Sequence, residues 1–137
     1  ENDRVFESEN RIYRPIMTDK LLLKQLMTIL FDNAIKYTEE DGKIEFLVHC
    51  TDRHLYLTVS DNGIGISATD KKKIFDRFYR VDKARTRQKG GFGLGLSLAK
   101  QIVDSLRGTI TVKDNKPRGT IFEVKIAIQS PSKRKNR

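Results

Sequence analysis

Apolar residues recur along this chain at two periods, and the switches between them mark out its elements. Leu23, Leu26, Met27, Leu30, Ala34 and Tyr37 fall three or four residues apart, which stacks them on one side of a helix. The spacing predicts a helix over about 19–38, with Thr18 as N-cap and Asp19 in the first turn. Glu39-Glu40-Asp41-Gly42 ends it. Ile44, Phe46, Val48 and Cys50 then alternate with polar partners, as do Leu55, Leu57 and Val59. That is the period of two strands, turning through Thr51-Asp52-Arg53-His54. Upstream, Arg11-Ile12-Tyr13-Arg14-Pro15 reads as a short edge strand closed by proline.

Further along, Ser67 with Asp70 three residues on forms a capping-box pattern, predicting a short helix through Phe78. Residues 80–93 are basic, polar and finally glycine-rich, and read as a mobile loop. Leu94 to Leu106 is helical again. Two closing strands, about 109–114 and 120–128, bury Ile110, Val112, Phe122, Val124, Ile126 and Ile128. They turn through Asn115-Lys116-Pro117-Arg118-Gly119. After Ser130-Pro131 a basic tail is expected to be disordered, so residues 1–130 form one domain and 131–137 the tail. This order of elements suits an α/β two-layer sandwich, a mixed β-sheet with three helices on one face.

Composition narrows the class. The 137 residues fit one domain, and 27 Lys and Arg against 18 Asp and Glu leave a net charge of +9. The charge is concentrated. Residues 71–89 hold nine basic and two acidic side chains, the tail from Ser132 adds four basic ones, and the remainder is net −2. A uniformly basic nucleic-acid binder is therefore a poor description of the chain. The single cysteine, Cys50, cannot form an internal disulfide, which excludes a stapled secreted scaffold and points to a reducing compartment. His49 and His54 with one cysteine give no zinc-ligand spacing. No apolar run approaches the roughly 18–20 residues needed to cross a bilayer, and Glu1-Asn2-Asp3-Arg4 does not open a signal peptide.

Three features carry chemistry. Gly63, Gly65, Gly90, Gly91, Gly93, Gly95 and Gly119 stand at strand ends or helix entrances, where backbone approaches a ligand or takes positive φ. Gly91-Phe92-Gly93-Leu94-Gly95-Leu96 directly precedes a helix, whose first N–H groups and dipole suit a phosphate. No Gly-Lys-Ser/Thr follows, so it is not a Walker loop. Asp61 continues the Leu55, Leu57, Val59 alternation onto the core side, where a carboxylate needs a partner. Either the N–H groups of the following turn satisfy it, or it accepts from a heterocycle amino group such as adenine N6. Asn33, Lys36 and Tyr37 lie in one quadrant beside the apolar stripe. They offer an amide oxygen for a hard cation, a charge for phosphate and a ring at a pocket edge. A helix-face Asn and Lys taken alone are more often simply solvated.

Taken in order, four segments resemble the boxes of sensor histidine kinases. They are Leu30-Phe31-Asp32-Asn33-Ala34-Ile35-Lys36-Tyr37-Thr38, Asp61-Asn62-Gly63-Ile64-Gly65-Ile66, Ile74-Phe75-Asp76-Arg77-Phe78-Tyr79-Arg80, and the glycine run from Gly91 to Leu96. Gly119-Thr120-Ile121-Phe122 resembles the final glycine motif, and the run from Asp82 to Lys89 is similar to the CiaH-type branch. The resemblance covers roughly residues 10–128. It implies the ATP-binding catalytic domain of a two-component kinase of the GHKL superfamily, with the Bergerat-type ATP fold. The implied cofactors are ATP and Mg²⁺. Asn33 would bind the metal, Lys36 and Tyr37 line the phosphates and adenine pocket, and Asp61 accept from adenine N6. Gly63 and Gly65 would shape the pocket, residues 80–92 form an ATP lid, and Arg80 reach the γ-phosphate. Gly91, Gly93, Leu94, Gly95 and Leu96 would border the phosphates, with Ile66, Tyr79 and Thr120 completing the nucleotide site. The net +7 of residues 71–89 then surrounds a triphosphate of about four negative charges.

Two departures bear on the activity. Related ATPases carry a glutamate, a general base for water, one turn before the metal asparagine; Ile29 stands there and cannot activate water. Nor does a helix bearing a phospho-acceptor histidine precede the domain. His49 and His54 sit at a strand end or turn. The expected partners are therefore a dimerisation and histidine phosphotransfer domain outside this sequence, and a response regulator. Neither nucleic acid nor a membrane is expected to touch the domain, which is placed in the cytoplasm with a membrane-anchored parent. The alternatives are a hydrolysing ATPase or serine kinase of the same superfamily, or a non-catalytic nucleotide-binding interaction module.

Overall fold

The computed structural model describes residues 5–12, 18–79 and 95–128. Helix α1 (Lys20–Tyr37) forms where the helical spacing of apolar residues was longest, and buries Leu26, Leu30, Asn33, Ala34 and Tyr37. Its N-cap is Asp19 rather than Thr18: the Asp19 carboxylate accepts from the Leu22 amide at 3.0 Å. A carboxylate there also meets the positive end of the helix dipole, an advantage a threonine lacks. At the other end the Thr38 hydroxyl donates back to the Ala34 carbonyl at 3.0 Å, which closes the last turn.

Strands β2 (Lys43–Cys50), β3 (His54–Asp61), β4 (Gly108–Asp114) and β5 (Thr120–Ala127) fall where alternation places them. The first strand does not. β1 is Val5–Arg11, upstream of the expected Arg11-to-Pro15 segment, and all seven of its residues are exposed. It pairs parallel with β2, Phe6 opposite Ile44 and Asn10 opposite Val48. Backbone pairing to an open sheet edge holds it, so no alternation advertises it. The sheet order is β1-β2-β3-β5-β4, antiparallel except for β1.

One face of the sheet carries the core. Ile44, Phe46, Leu55, Leu57, Val59, Phe122, Val124 and Ile126 point into it, against Leu26 and Leu30 of α1 and Ala99, Ile102 and Val103 of α3 (Gly95–Ser105). The helices α1 and α3 pack on each other, α1 against β3 and α3 against β4. Each such side chain contributes about 1.5–3 kcal/mol by leaving water. The α/β two-layer arrangement with a mixed sheet is as expected.

The helix expected through Phe78 is shorter. Ser67 caps it, its hydroxyl accepting from the Asp70 amide at 3.1 Å, but α2 spans only Ala68–Lys71. Tighter bonds follow, Lys73 N–H to Asp70 C=O at 2.9 Å and Asp76 N–H to Lys73 C=O at 3.0 Å. Ile74 is buried and Phe75 meets the Phe122 ring edge-on at 6.3 Å. Two anchors cannot stabilise a longer amphipathic helix. Phe78, with φ of +65°, turns its ring outward at 63% exposure, beneath the Arg77 guanidinium. The expected 80–93 loop and the tail from 131 lie outside the described residues.

Candidate functional site

Strict alternation along β3 carries Asp61 to the buried face, where it is 3% exposed. Its register neighbours are Ile44 on β2 and Thr120 on β5. Oδ1 accepts from the Gly63 amide at 2.8 Å and from the Thr120 amide at 3.3 Å. The turn N–H reading thus holds for one oxygen. Among the described residues, Oδ2 has no hydrogen-bond donor, and no lysine or arginine pairs with the group. Burial pushes the carboxyl above its ordinary range, and the two amides only partly offset this. The result is a buried acceptor with one lone-pair face left over.

The loop after β3 lies directly on the end of α1. The Ile64 amide donates to the Tyr37 carbonyl at 3.1 Å, and a Cβ on Gly63 would sit 1.9 Å from that same oxygen. Only glycine lets the chain pass. Gly119, with φ of +115°, comes equally close to the Asp61 carbonyl from the other side. Tyr37, whose backbone carbonyl takes this crossing, is 4% exposed, as buried as Asn33 and Asp61. Gly65 and Ile66 continue the loop, Ile66 buried in the core.

Two buried polar atoms lack any hydrogen-bond partner among the described residues: Asn33 Nδ2 and Thr120 Oγ1. An unsatisfied buried group costs about 1–3 kcal/mol, and native structures keep few of them outside functional sites. Both belong to residues picked out from the sequence. Lys36, one turn of helix from Asn33, is half-buried. At the start of α3, a Cβ on Gly95 would lie 3.7 Å from Ile29 Cγ2, so the first turn of α3 abuts α1 one turn ahead of Asn33. Leu96 is half-buried beside it. The start of α3 thus rests on α1 within one turn of Asn33.

Tyr79 is committed elsewhere, its hydroxyl donating to the Asp70 carboxylate. Asp70 is thus a partner for Tyr79 as well as part of the capping pattern. Arg80, Gly91, Gly93 and Leu94 lie outside the described residues. Sequence reasoning missed two residues of the β4–β5 turn. Asn115 Nδ2 donates to the Asp61 carbonyl and Arg118 Nε to the Gly63 carbonyl, each at 2.8 Å. Nothing in a turn sequence announces which carbonyls it will reach.

A buried carboxylate with one oxygen unbonded, an asparagine Nδ2 without a partner among the described residues and a glycine-led helix thus gather at one end of a mixed sheet, in the fold class of α/β ATPase domains. The chain belongs to the histidine kinase-, DNA gyrase B- and HSP90-like ATPase family, whose profile matches residues 18–130. It is 83% identical over 135 residues to the sensor protein CiaH of Streptococcus pneumoniae, a match covering 98% of this chain and 30% of that protein. The signal transduction histidine-protein kinase ArlS of Staphylococcus aureus is 44% identical over 101 residues, 74% of this chain and 22% of ArlS. The chain thus spans less than a third of the length of these relatives. Among solved structures, a mycobacterial sensor histidine kinase, MprB, superposes with a TM-score of 0.79 at 27% identity, covering 93% of this chain and 86% of that one. The catalytic domain of histidine kinase ThkA gives 0.76 at 27% identity, covering 93% and 82%. The resemblance read from the four boxes, CiaH-type branch included, agrees with these matches.

Proposed function

We propose that this chain is the catalytic domain of a two-component sensor histidine kinase, which holds Mg-ATP and presents its γ-phosphoryl group to a histidine on a separate dimerisation domain. The observation that carries the reading is the Asp61 carboxylate, buried and held at Oδ1 by two amides with Oδ2 open. A fixed acceptor of this kind matches the N6 amino group of adenine.

Phosphoryl transfer asks the protein for positioning and charge more than for covalent chemistry. Lys36 offers a cation to the phosphates, and the first turn of α3 offers N–H groups. The Asn33 side-chain oxygen would hold Mg²⁺, a hard cation that takes one or two protein oxygens and completes its shell with phosphate and water, and the unpartnered Nδ2 would be left to donate to a phosphate oxygen. Among the described residues no cluster of His, Cys, Asp or Glu could hold a metal without such help. When bound, the ion would neutralise phosphate charge. Ile29 puts an apolar side chain where a hydrolase needs a base, and it packs toward Gly95. That favours donation to an acceptor over transfer to water.

The names of the relatives place them in signal transduction, which supports a response regulator as the downstream partner of the whole protein. No helix among the described residues is long and apolar enough to cross a membrane. We place the domain in the cytoplasm, with the anchor elsewhere in the parent. The test is transfer in trans: the chain, labelled ATP and Mg²⁺ are mixed with the parent's histidine-bearing domain. Acid-labile label on that domain is expected. Free phosphate without labelled protein would favour the ATPase alternative.

A further inference from the structure

The β4–β5 turn is tied to the Asp61 corner beyond what strand pairing needs. The ladder itself ends at the pairs Asp61–Thr120 and Asp114–Thr120. Past it, Asn115 Nδ2 donates to the Asp61 carbonyl and Arg118 Nε to the Gly63 carbonyl, both at 2.8 Å. These two carbonyls flank Asn62, on either side of the peptide that hands Oδ1 its closer amide. A third tie, Lys71 Nζ to Asp114 Oδ1 at 2.6 Å, anchors the base of the turn to α2.

We propose that Asn115 and Arg118 are positioning residues that clamp the backbone around Asp61, and so set how sharply the site selects an amino-bearing purine. The inference rests on the adenine reading of Asp61. Neither residue bonds the carboxylate. They act on the two peptide groups either side of the Asn62–Gly63 peptide, whose N–H meets Oδ1 at 2.8 Å: Asn115 holds the Asp61 C=O and the charged Arg118 holds the Gly63 C=O. The carboxylate accepts from an amino group only where it is held at bonding distance and angle; displaced, it loses that bond, while a keto base, which offers it no proton, loses nothing. Gly63 has no side chain of its own, so neighbouring contacts set its conformation: the Ile64 amide on the Tyr37 carbonyl and the Asn62 amide on the Lys43 carbonyl on one side, the Asn115 and Arg118 ties on the other. Arg118 is exposed apart from this contact, so its removal leaves the core untouched.

The experiment uses the whole chain with Arg118→Ala, Asn115→Ala and Arg118→Lys. Calorimetry compares ATP with inosine triphosphate, whose base carries a keto group in place of the amino group. Amide exchange at Gly63 is followed without nucleotide. The wild type is expected to prefer ATP. In Arg118→Ala and Asn115→Ala, ATP affinity falls about fivefold while the inosine nucleotide holds or gains. Gly63 exchange quickens in both, and Arg118→Lys, which keeps a charged donor, restores most of each effect. Equal losses for the two nucleotides, unchanged Gly63 exchange, or a fall in melting temperature that accounts for the affinity loss would overturn the clamp. A wild type indifferent to the base would defeat the adenine reading instead, and the exchange arm would still judge the clamp by itself.

Discussion

Asp61 and Thr120 face each other across the β3–β5 ladder, and the Thr120 amide donates to Asp61 Oδ1 at 3.3 Å. The pair joins a buried carboxylate to a hydroxyl, Thr120 Oγ1, that has no partner among the described residues. Both groups weaken the empty protein and become useful when a ligand brings complementary atoms.

Asp61→Asn separates those two roles. Burial raises the native carboxyl pKa, so the folded state holds its proton more tightly than the unfolded chain does. Stability from this group is therefore greatest at acid pH. It falls as pH rises from the ordinary carboxylate value through the raised native one. The variant removes that slope. Its nucleotide-free form should be more stable than the wild type at pH 7 and equal to it at low pH, by chemical denaturation. ATP should bind more weakly by about 1–3 kcal/mol, because the new amide can place a donor against the donor N6.

Gly63→Ala and Gly95→Ala should diverge. At 63 a methyl would lie 1.9 Å from the Tyr37 carbonyl oxygen, so backbone must move and at least about 3 kcal/mol should be lost. At 95 the nearest atom among the described residues is Ile29 Cγ2 at 3.7 Å, an ordinary contact. Denaturation should show the second variant as stable as the wild type or slightly more so. Weaker ATP binding by that stable variant would locate the phosphates at the start of α3.

Asn33→Asp keeps the size of the side chain and adds a charge beside the phosphates. Without Mg²⁺ the variant should bind ATP more weakly than the wild type, since the added carboxylate repels the phosphates; Mg²⁺ should recover part of that loss, so the metal dependence steepens, and transfer to the acceptor domain should fall. Titrations with and without Mg²⁺ check this. An unchanged metal dependence would remove Asn33 from the metal site.

What could be read beforehand follows the range over which each signal acts. The α1 stripe and the alternation of β2, β3 and β5 are local, and the alternation puts Asp61 on the buried face where it is found. β1 was misplaced because Val5–Arg11 buries nothing and owes its position to the edge of β2. Thr18 and Asp19 are adjacent caps, and only the helix start at Lys20 decides between them. The Ser67 and Asp70 pattern over-extended α2 because no apolar stripe sustains it past Lys71. Asn115 and Arg118 reach carbonyls 54 and 55 residues away, a pairing created by sheet register and turn conformation together.

The most direct test of the whole account is calorimetric titration of this chain with Mg-ATP, with phosphate release followed in the same samples. Saturable one-to-one binding with phosphate release near background is predicted, as suits a donor domain with isoleucine at position 29. No binding of Mg-ATP, or brisk multiple turnover by the chain alone, would contradict it.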